Sequence, residues 1–234
     1  MRTFLIAAFT ASLLAAPAAG ATRNFGIEGF TKVRIDGPYK VLLATGTAPF
    51  ARAEGSSAAL DRISIEVEGS TLVVHPNRSS WGGYEGEDVG PVTISLGTHE
   101  LGAAWLNGSG MLAIDKVKGL TFDLSVQGSG AASIGRVDVD QLRIAVGGTG
   151  SATVAGQAGK TSALVRGVSS VDASALQTKD AVLSADGSAT IKAAVSNSAK
   201  VDGSGPATIA LTGAPACTVR MTGSATVSGC GSTQ

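Results

Sequence analysis

Charge is what this chain has least of. Only 15% of its 234 residues are Asp, Glu, Lys or Arg, and 18 bases stand against 18 acids. A chain without net charge or a basic field has nothing to draw nucleic acid or anionic lipid, so neither is expected as a partner. Histidine is confined to His75, before Pro76 at the end of a strand-like run, and His99, in a turn. Neither is spaced for a metal or a catalytic pair. Asp138 and Asp140 are close in sequence, and Asp172, Asp186 and Asp202 recur, but in different columns of the pattern below. No carboxylate pair returns at a spacing suited to acid–base work on a glycosidic bond. Gly147-Gly148-Thr149-Gly150-Ser151 begins like a calcium-binding β-roll repeat and then lacks its Asp. The Gly-x-Gly turns have no helix behind them, so they carry no phosphate-binding meaning. We expect no enzyme, no cofactor and no metal site.

Cysteine occurs twice, as Cys217 and Cys230, with no CxxC spacing and no other ligand nearby. In an oxidising compartment a pair closing a short C-terminal segment suits a disulfide staple; two buried thiols are the alternative. Long apolar runs are absent after the first twenty residues. There, Arg2 precedes the apolar stretch Phe4 to Ala16 and the small-residue site Ala19-Gly20-Ala21. This reads as a secretory signal peptide over 1–21, too short to span about 30 Å of hydrocarbon. No Cys follows it in lipoprotein position. The mature chain is therefore expected to be periplasmic or secreted, with 22–234 as one domain and no membrane anchor.

Helical periodicity is also missing from the mature chain, which predicts a nearly all-β protein. What fills it instead is a repeat. Gly110-Met111-Leu112-Ala113-Ile114 returns as Gly130-Ala131-Ala132-Ser133-Ile134 and Gly150-Ser151-Ala152-Thr153-Val154, then weakly as Ser169-Ser170-Val171-Asp172-Ala173. Gly187-Ser188-Ala189-Thr190-Ile191, Gly205-Pro206-Ala207-Thr208-Ile209 and Gly223-Ser224-Ala225-Thr226-Val227 follow. Steps of 20, 20, 19, 18, 18 and 18 residues mark a stacked repeat. Aligned on these turns, four apolar columns emerge. They are Leu106 to Val219, Ala104 to Cys217, Leu112 to Ala225 and Ile114 to Val227, each spaced by two from its neighbour. Period-2 spacing puts them on one face, the interior of a parallel coil. Seven rungs of ~4.8 Å make roughly 30 Å of solenoid. Outward Ser151, Thr153, Ser188, Thr190, Thr208, Ser224 and Thr226 form a partial ladder that Asp172 and Pro206 interrupt; they read as solvated β formers.

Before the repeat, Val33-Arg34-Ile35, Tyr39 to Leu43, Ile63 to Val67 and Thr71 to Val74 read as strands between Gly-containing turns. Ala58 to Asp61 reads as one helical turn. Residues 78–90 lack alternation and read as a projecting loop. Trp81, Tyr84, Glu85, Glu87 and Asp88 make it the candidate binding site, because aromatic rings with polar tips suit sugar or protein contact and loops carry function. The alternatives are a mobile insertion, or aromatics folded back over the end of the solenoid.

Phe30 to Val41, Leu60 to Ile63, Gly69 to Val74 and the Leu106-Asn107-Gly108-Ser109-Gly110 turn with its copies together resemble the bacterial head GIN domain family, labelled as auto-transporter adhesins. The resemblance covers about Phe25 to Gly223. It implies a modified right-handed parallel β-helix and supplies no catalytic residues. The sequence ends at Gln234 without a translocator barrel, so the auto-transporter part of the label is not expected to apply. The reading is an all-β, right-handed parallel β-solenoid that binds an unknown envelope glycan or protein without catalysis. A passive structural envelope protein and a polysaccharide-processing β-helix enzyme are the alternatives.

The columns make a direct prediction. Val146→Asp places an unpaired charge in a dry stack and should cost on the order of 3–5 kcal/mol. Thr153→Lys, on the outward face, should stay within about 0.5 kcal/mol. Urea denaturation of both variants checks this, and equal losses would reject the assignment of faces.

Overall fold

The computed structural model describes residues 20–77 and 90–231. Apart from Gly20 and Ala21, the expected signal segment lies outside them. One continuous sheet system of sixteen strands winds into a β-solenoid of about six turns. Its first rung consists of β2 (Lys32–Asp36) and β3 (Lys40–Thr45). The chain then leaves this rung and returns to it much later. β8 (Ala103–Gly108) pairs in parallel with β2, and β9 (Met111–Gly128) with both β3 and β8. From there the coils stack without interruption through β10 (Ala131–Gly148), β11 (Ser151–Gly167), β12 (Ser170–Gly187) and β13 (Thr190–Ser204). The last coil is split into β14 (Thr208–Thr212), β15 (Ala216–Met221) and β16 (Thr226–Ser228).

The excursion between β3 and β8 closes the N-terminal end. β6 (Thr71–Pro76) and β7 (Thr93–Thr98) extend the first rung in parallel. Antiparallel strands then cover them. β5 (Ile63–Glu68) lies on β6, β4 (Phe50–Gly55) on β7, and β1 (Ala21–Phe25) on β4. The short helix α1 (Ser57–Asp61) is capped by the Ser56 hydroxyl, which accepts from the Ala59 N–H at 3.1 Å. Sequence reading found the parallel solenoid and the helical turn. It did not separate out β1 or β4, and it started the coils one rung late.

Most residues of the four columns lie in the core, together with others such as Val117, Phe122 and Leu142, but the register breaks the two incoming columns: Val165 pairs with Ala185 and Ala163 with Leu183. Leu106, Val126, Val146 and Val165 are at most 2% exposed, as are Leu183 and Val201. At the final rung the expectation fails. Val219 is 43% exposed, and Cys217, Ala225 and Val227 are only partly buried. No further coil lies on that rung, so its interior residues are covered from one side only. Cys217 and Cys230 are joined across it, with an S–S distance of 2.07 Å and Cα atoms 5.7 Å apart. The bond ties β15 to the segment after β16, which closes a loop around the most exposed rung.

Register brings a second correction. Met111, Ala131, Ser151, Ser170, Thr190, Thr208 and Thr226 are consecutive partners, so the coils are 20, 20, 19, 20, 18 and 18 residues long. Matching by letters aligned Val171 with Ala189, whereas the sheet pairs Val171 with Ile191. The Gly-Ser-Ala-Thr texts at 150 and 187 look alike but sit two residues apart in the coil. A slip of two preserves which face each residue occupies, so the burial pattern could not expose the error. It also separates Thr153, opposite Asp172, from the true stack of Thr190, Thr208 and Thr226.

The marker that does stay in register is backbone sign. Gly108, Gly128, Gly148, Gly167, Gly187, Gly205 and Gly223 all have positive φ. They occupy one corner, each over the last. At Gly148, φ is 90° and an added Cβ would lie 2.6 Å from the Gly128 carbonyl oxygen. Two independent obstacles therefore exclude a side chain, the left-handed backbone and the neighbouring rung. Gly148→Ala should destabilise by about 2 kcal/mol or more, a fall of several degrees in Tm. Gly119, with nothing within 4 Å of its would-be Cβ, serves as the control. Gly119→Ala should move stability by no more than about 0.5 kcal/mol. Thermal melts of the pair decide it.

Candidate functional site

Trp81, Tyr84, Glu85, Glu87 and Asp88 lie outside the described residues, so the site is sought in what the fold arranges elsewhere. The described residues form a groove of about 640 Å³. It crosses the coils from β10 to β14, along the corner away from the glycine turns. One wall is the in-register row Asp138, Gln157, Gln177 and Ala194. The other carries Asp140, Gly159, Lys179 and Ser196, and the floor is Val139, Ala158, Thr178 and Val195.

The groove exists because of where the coils change length. Between β10 and β11 the register shifts at Ile134/Val137, and between β11 and β12 at Thr153/Ala155. Between β12 and β13 it shifts at Ala173/Gln177 and again at Thr178/Asp180. Every gained or lost residue is absorbed at or beside this corner, as β-bulges that bend the strands. Small residues at the bends, Ala158, Gly159, Ala194 and Gly213, leave the channel open.

Its polar groups are held in place. The Gln157 amide donates from Nε2 to Asp138 Oδ1 at 2.8 Å, and Lys118 Nζ stands 3.9 Å from the other carboxylate oxygen. Thr178 is 4% exposed, yet its hydroxyl accepts from Thr161 Oγ1 at 3.0 Å and donates to the Asp180 carbonyl at 3.3 Å. Beside the groove, Asp180 accepts from the Ser198 hydroxyl and, at 2.8 Å, from Asn197 Nδ2; these bonds hold its carboxyl below the usual range. Asp138 and Asp140 against Lys179 leave the channel about one negative charge, and Val139, Ala158, Ala194 and Val195 give it substantial apolar surface. Sequence reading missed it because no single residue signals it; it arises from mismatched coil lengths.

The one histidine with a charged partner is His75. Its Nε2 lies 2.7 Å from Glu66 Oε1 and its Nδ1 2.9 Å from the Pro76 carbonyl oxygen. A carbonyl only accepts, so Nδ1 carries a proton; donating to the carboxylate as well makes the ring an imidazolium. The Glu66 bond raises the His75 pKa above its ordinary 6.5, and the same bond lowers that of Glu66 below 4.5. The pair bridges β5 and β6 at the N-terminal cap. The Ser64 hydroxyl donates to the same Glu66 oxygen at 3.3 Å, and the Asp36 carboxylate adds to the rise in the His75 pKa. Among the described residues, no group of three or more His, Cys, Asp or Glu side chains could hold a metal ion. No helix of the described residues is long and apolar enough to cross a membrane.

Fold and groove together define a β-solenoid with a surface channel across five successive coils. The chain belongs to the head GIN domain family: the family model described as "Putative auto-transporter adhesin, head GIN domain" matches residues 29–215. Among solved structures, a "putative adhesin" from Bacteroides fragilis NCTC 9343 superposes with a TM-score of 0.77 at 16% identity, covering 90% of this chain and 97% of that one. A "putative lipid binding protein" from Parabacteroides distasonis ATCC 8503 gives 0.69 at 18% identity, with 90% and 96% covered. A further "putative adhesin", from Parabacteroides merdae ATCC 43184, gives 0.66 at 14%, with 90% and 95% covered. At such identities the likeness establishes the fold. No curated protein matches the chain.

The His75–Glu66 pair predicts a pH dependence. A raised histidine pKa adds stability that is complete below the unfolded value of 6.5 and fades as pH climbs through the raised one. The lowered Glu66 pKa adds stability present above 4.5 and lost as pH falls through the lowered value. The contribution is therefore largest between those two ordinary values. His75→Gln should lower Tm at about pH 5.5 and leave it unchanged near pH 8.5. Melting curves at both pH values test the sign; a larger deficit at the higher pH would overturn it.

Proposed function

We propose that this protein is an extracytoplasmic, non-catalytic binding protein, adhesin-like in role, whose ligand lies along the groove over β10 to β14. The observation that carries the reading is the channel's direction. It runs across five successive coils, about four rung spacings or roughly 19 Å. Gln157 and Gln177 stand one rung apart on one wall, and Lys179 and Ser196 follow one another on the other. Donors and acceptors thus repeat at the rung spacing, which suits an extended chain presenting hydroxyls or amides at intervals. The channel's small negative charge favours an uncharged envelope glycan, or the backbone of a protein strand, over a polyanion.

Three features support the location and the binding role. The sequence of the first twenty-one residues reads as an export signal, which supports an extracytoplasmic location. The Cys217–Cys230 disulfide belongs to an oxidising compartment. The family and two of the structural relatives carry the adhesin description.

Gln157→Ala combined with Gln177→Ala removes two planar amides from one wall while leaving the core intact. At about 0.5–1.5 kcal/mol per hydrogen bond, binding to envelope polysaccharide or peptidoglycan should weaken roughly 5- to 150-fold with Tm nearly unchanged. Pull-down and calorimetry measure it. Full binding by the double variant would move the ligand off the groove. No binding by the parent protein to any envelope fraction would favour the passive structural reading. N-terminal sequencing of the exported protein should begin within a few residues of Ala21; retention of Met1 would reject export by signal cleavage.

A further inference from the structure

We propose a second binding site, for one ring of a neutral saccharide, centred on Trp105 on the sheet face formed by β2, β8 and β9. The site is separate from the groove and does not rest on it. Trp105 stands between Ala104 and Leu106, both fully buried, so strand alternation turns the indole outward. It is the one tryptophan among the described residues, and it is partly exposed.

Ala103 and Val73 on this face are buried, and the remaining neighbours of the ring are polar and fixed in advance. In register, Arg34 of β2 lies on one side of Trp105 and Ser125 of β9 on the other. Arg34 Nε donates to Asp36 Oδ2 at 3.0 Å, and Asn107 Nδ2 donates to Asp36 Oδ1 at 2.7 Å. The carboxylate thereby orients both neighbours, and the terminal N–H groups of Arg34 and the carbonyl oxygen of Asn107 remain to meet a ligand. On the other side, Gln127 Nε2 lies 3.5 Å from the Ser125 hydroxyl, and Asp123 pairs with Arg143 at 3.4 Å. One rung further the column continues with Ala145, and Gly147 lies beneath the Gln127 amide, so the sheet beyond the ring stays flat.

An aromatic face bordered by planar hydrogen-bonding groups matches the two surfaces of a pyranose. Its C–H face stacks on the indole, and its rim of hydroxyls meets side chains that both donate and accept. The charges favour a neutral sugar, because Arg34 is already paired with Asp36 and Arg143 with Asp123. A protein partner fits less well. A stable interface needs about 800 Å² per side with an apolar centre. The exposed large apolar residues Leu42, Phe50, Val168 and Val219 lie off these three strands, and Met111 and Leu120 lie on β9 outside the Asp123–Gly128 stretch that pairs with β8.

The test is calorimetric titration of the full chain with soluble neutral oligosaccharides of the cello-, malto- and chito- series. At least one series should bind. Trp105→Ala should then weaken it at least tenfold and Trp105→Phe less, while the Gln157→Ala/Gln177→Ala groove variant binds that series like the parent. Asn107→Ala keeps the ring and removes one polar neighbour, and it should cost several-fold. This second variant decides the matter should Trp105→Ala fail to fold. Binding unaffected by both Trp105→Ala and Asn107→Ala, or lost only in the groove variant, would overturn the Trp105 site while leaving the groove reading standing. No binding of any series by the parent would overturn it as well.

Discussion

The structure depends on one backbone constraint: at a single corner of every coil the chain must turn through positive φ directly against the rung below. Gly128 and Gly148 show why nothing larger fits, since each would place a Cβ 2.6 Å from the carbonyl oxygen of the preceding turn. Because that corner cannot vary, it acts as a pin through the stack. The coils differ by up to two residues in length, and the difference is expressed at or beside the opposite bend. By register the interior columns run from Val165 to Ala185 and from Ala163 to Leu183 rather than along like letters, while Asp138, Gln157 and Gln177 line up along the channel. The groove corner has positive-φ glycines of its own, Gly156 and Gly213, whose would-be Cβ atoms would collide with the carbonyl oxygens of Val137 and Val195, so both corners constrain the backbone and the second is where coil length changes.

Much of the fold was legible because a solenoid writes its core in period two. Val146 and Val165 could be placed inside from their spacing alone, and both are buried. Register was less legible for the same reason. Alternation fixes a residue's face but not its partner, so the similar texts at Gly150 and Gly187 were matched although they occupy different steps of the turn. Positive φ distinguishes them, and letters do not report φ. The antiparallel cap was hidden differently. Phe50 to Gly55 reads Phe-Ala-Arg-Ala-Glu-Gly, and its buried positions are two alanines. That signal is weak until β7 is known to lie beside it.

The candidate sites divide along similar lines. The residues singled out at 78–90 stand in a stretch without periodicity, where composition was the only guide. Trp105 was readable in principle. Once Ala104 and Leu106 are assigned to the interior, the residue between them must face outward, and an outward tryptophan among small and polar neighbours is unusual enough to notice. The environment around it was not readable, because Arg34 and Asp36 are about seventy positions away and meet it only through the return of the chain to its first rung. The groove had no residue-level signature at all.

Stacking of this kind has no internal stop: a rung that accepts one coil above it can accept another, from the same chain or from a different molecule. The two ends of this solenoid answer that problem with different chemistry. At the beginning, the parallel edge is turned over into antiparallel strands bearing Arg23, Arg52, Glu54, Glu66 and Glu68, charges that discourage a further strand from adding. At the end there is no such reversal, only half-covered apolar residues and a covalent loop. The covalent loop between Cys217 and Cys230 holds the segment after β16 against that half-covered rung.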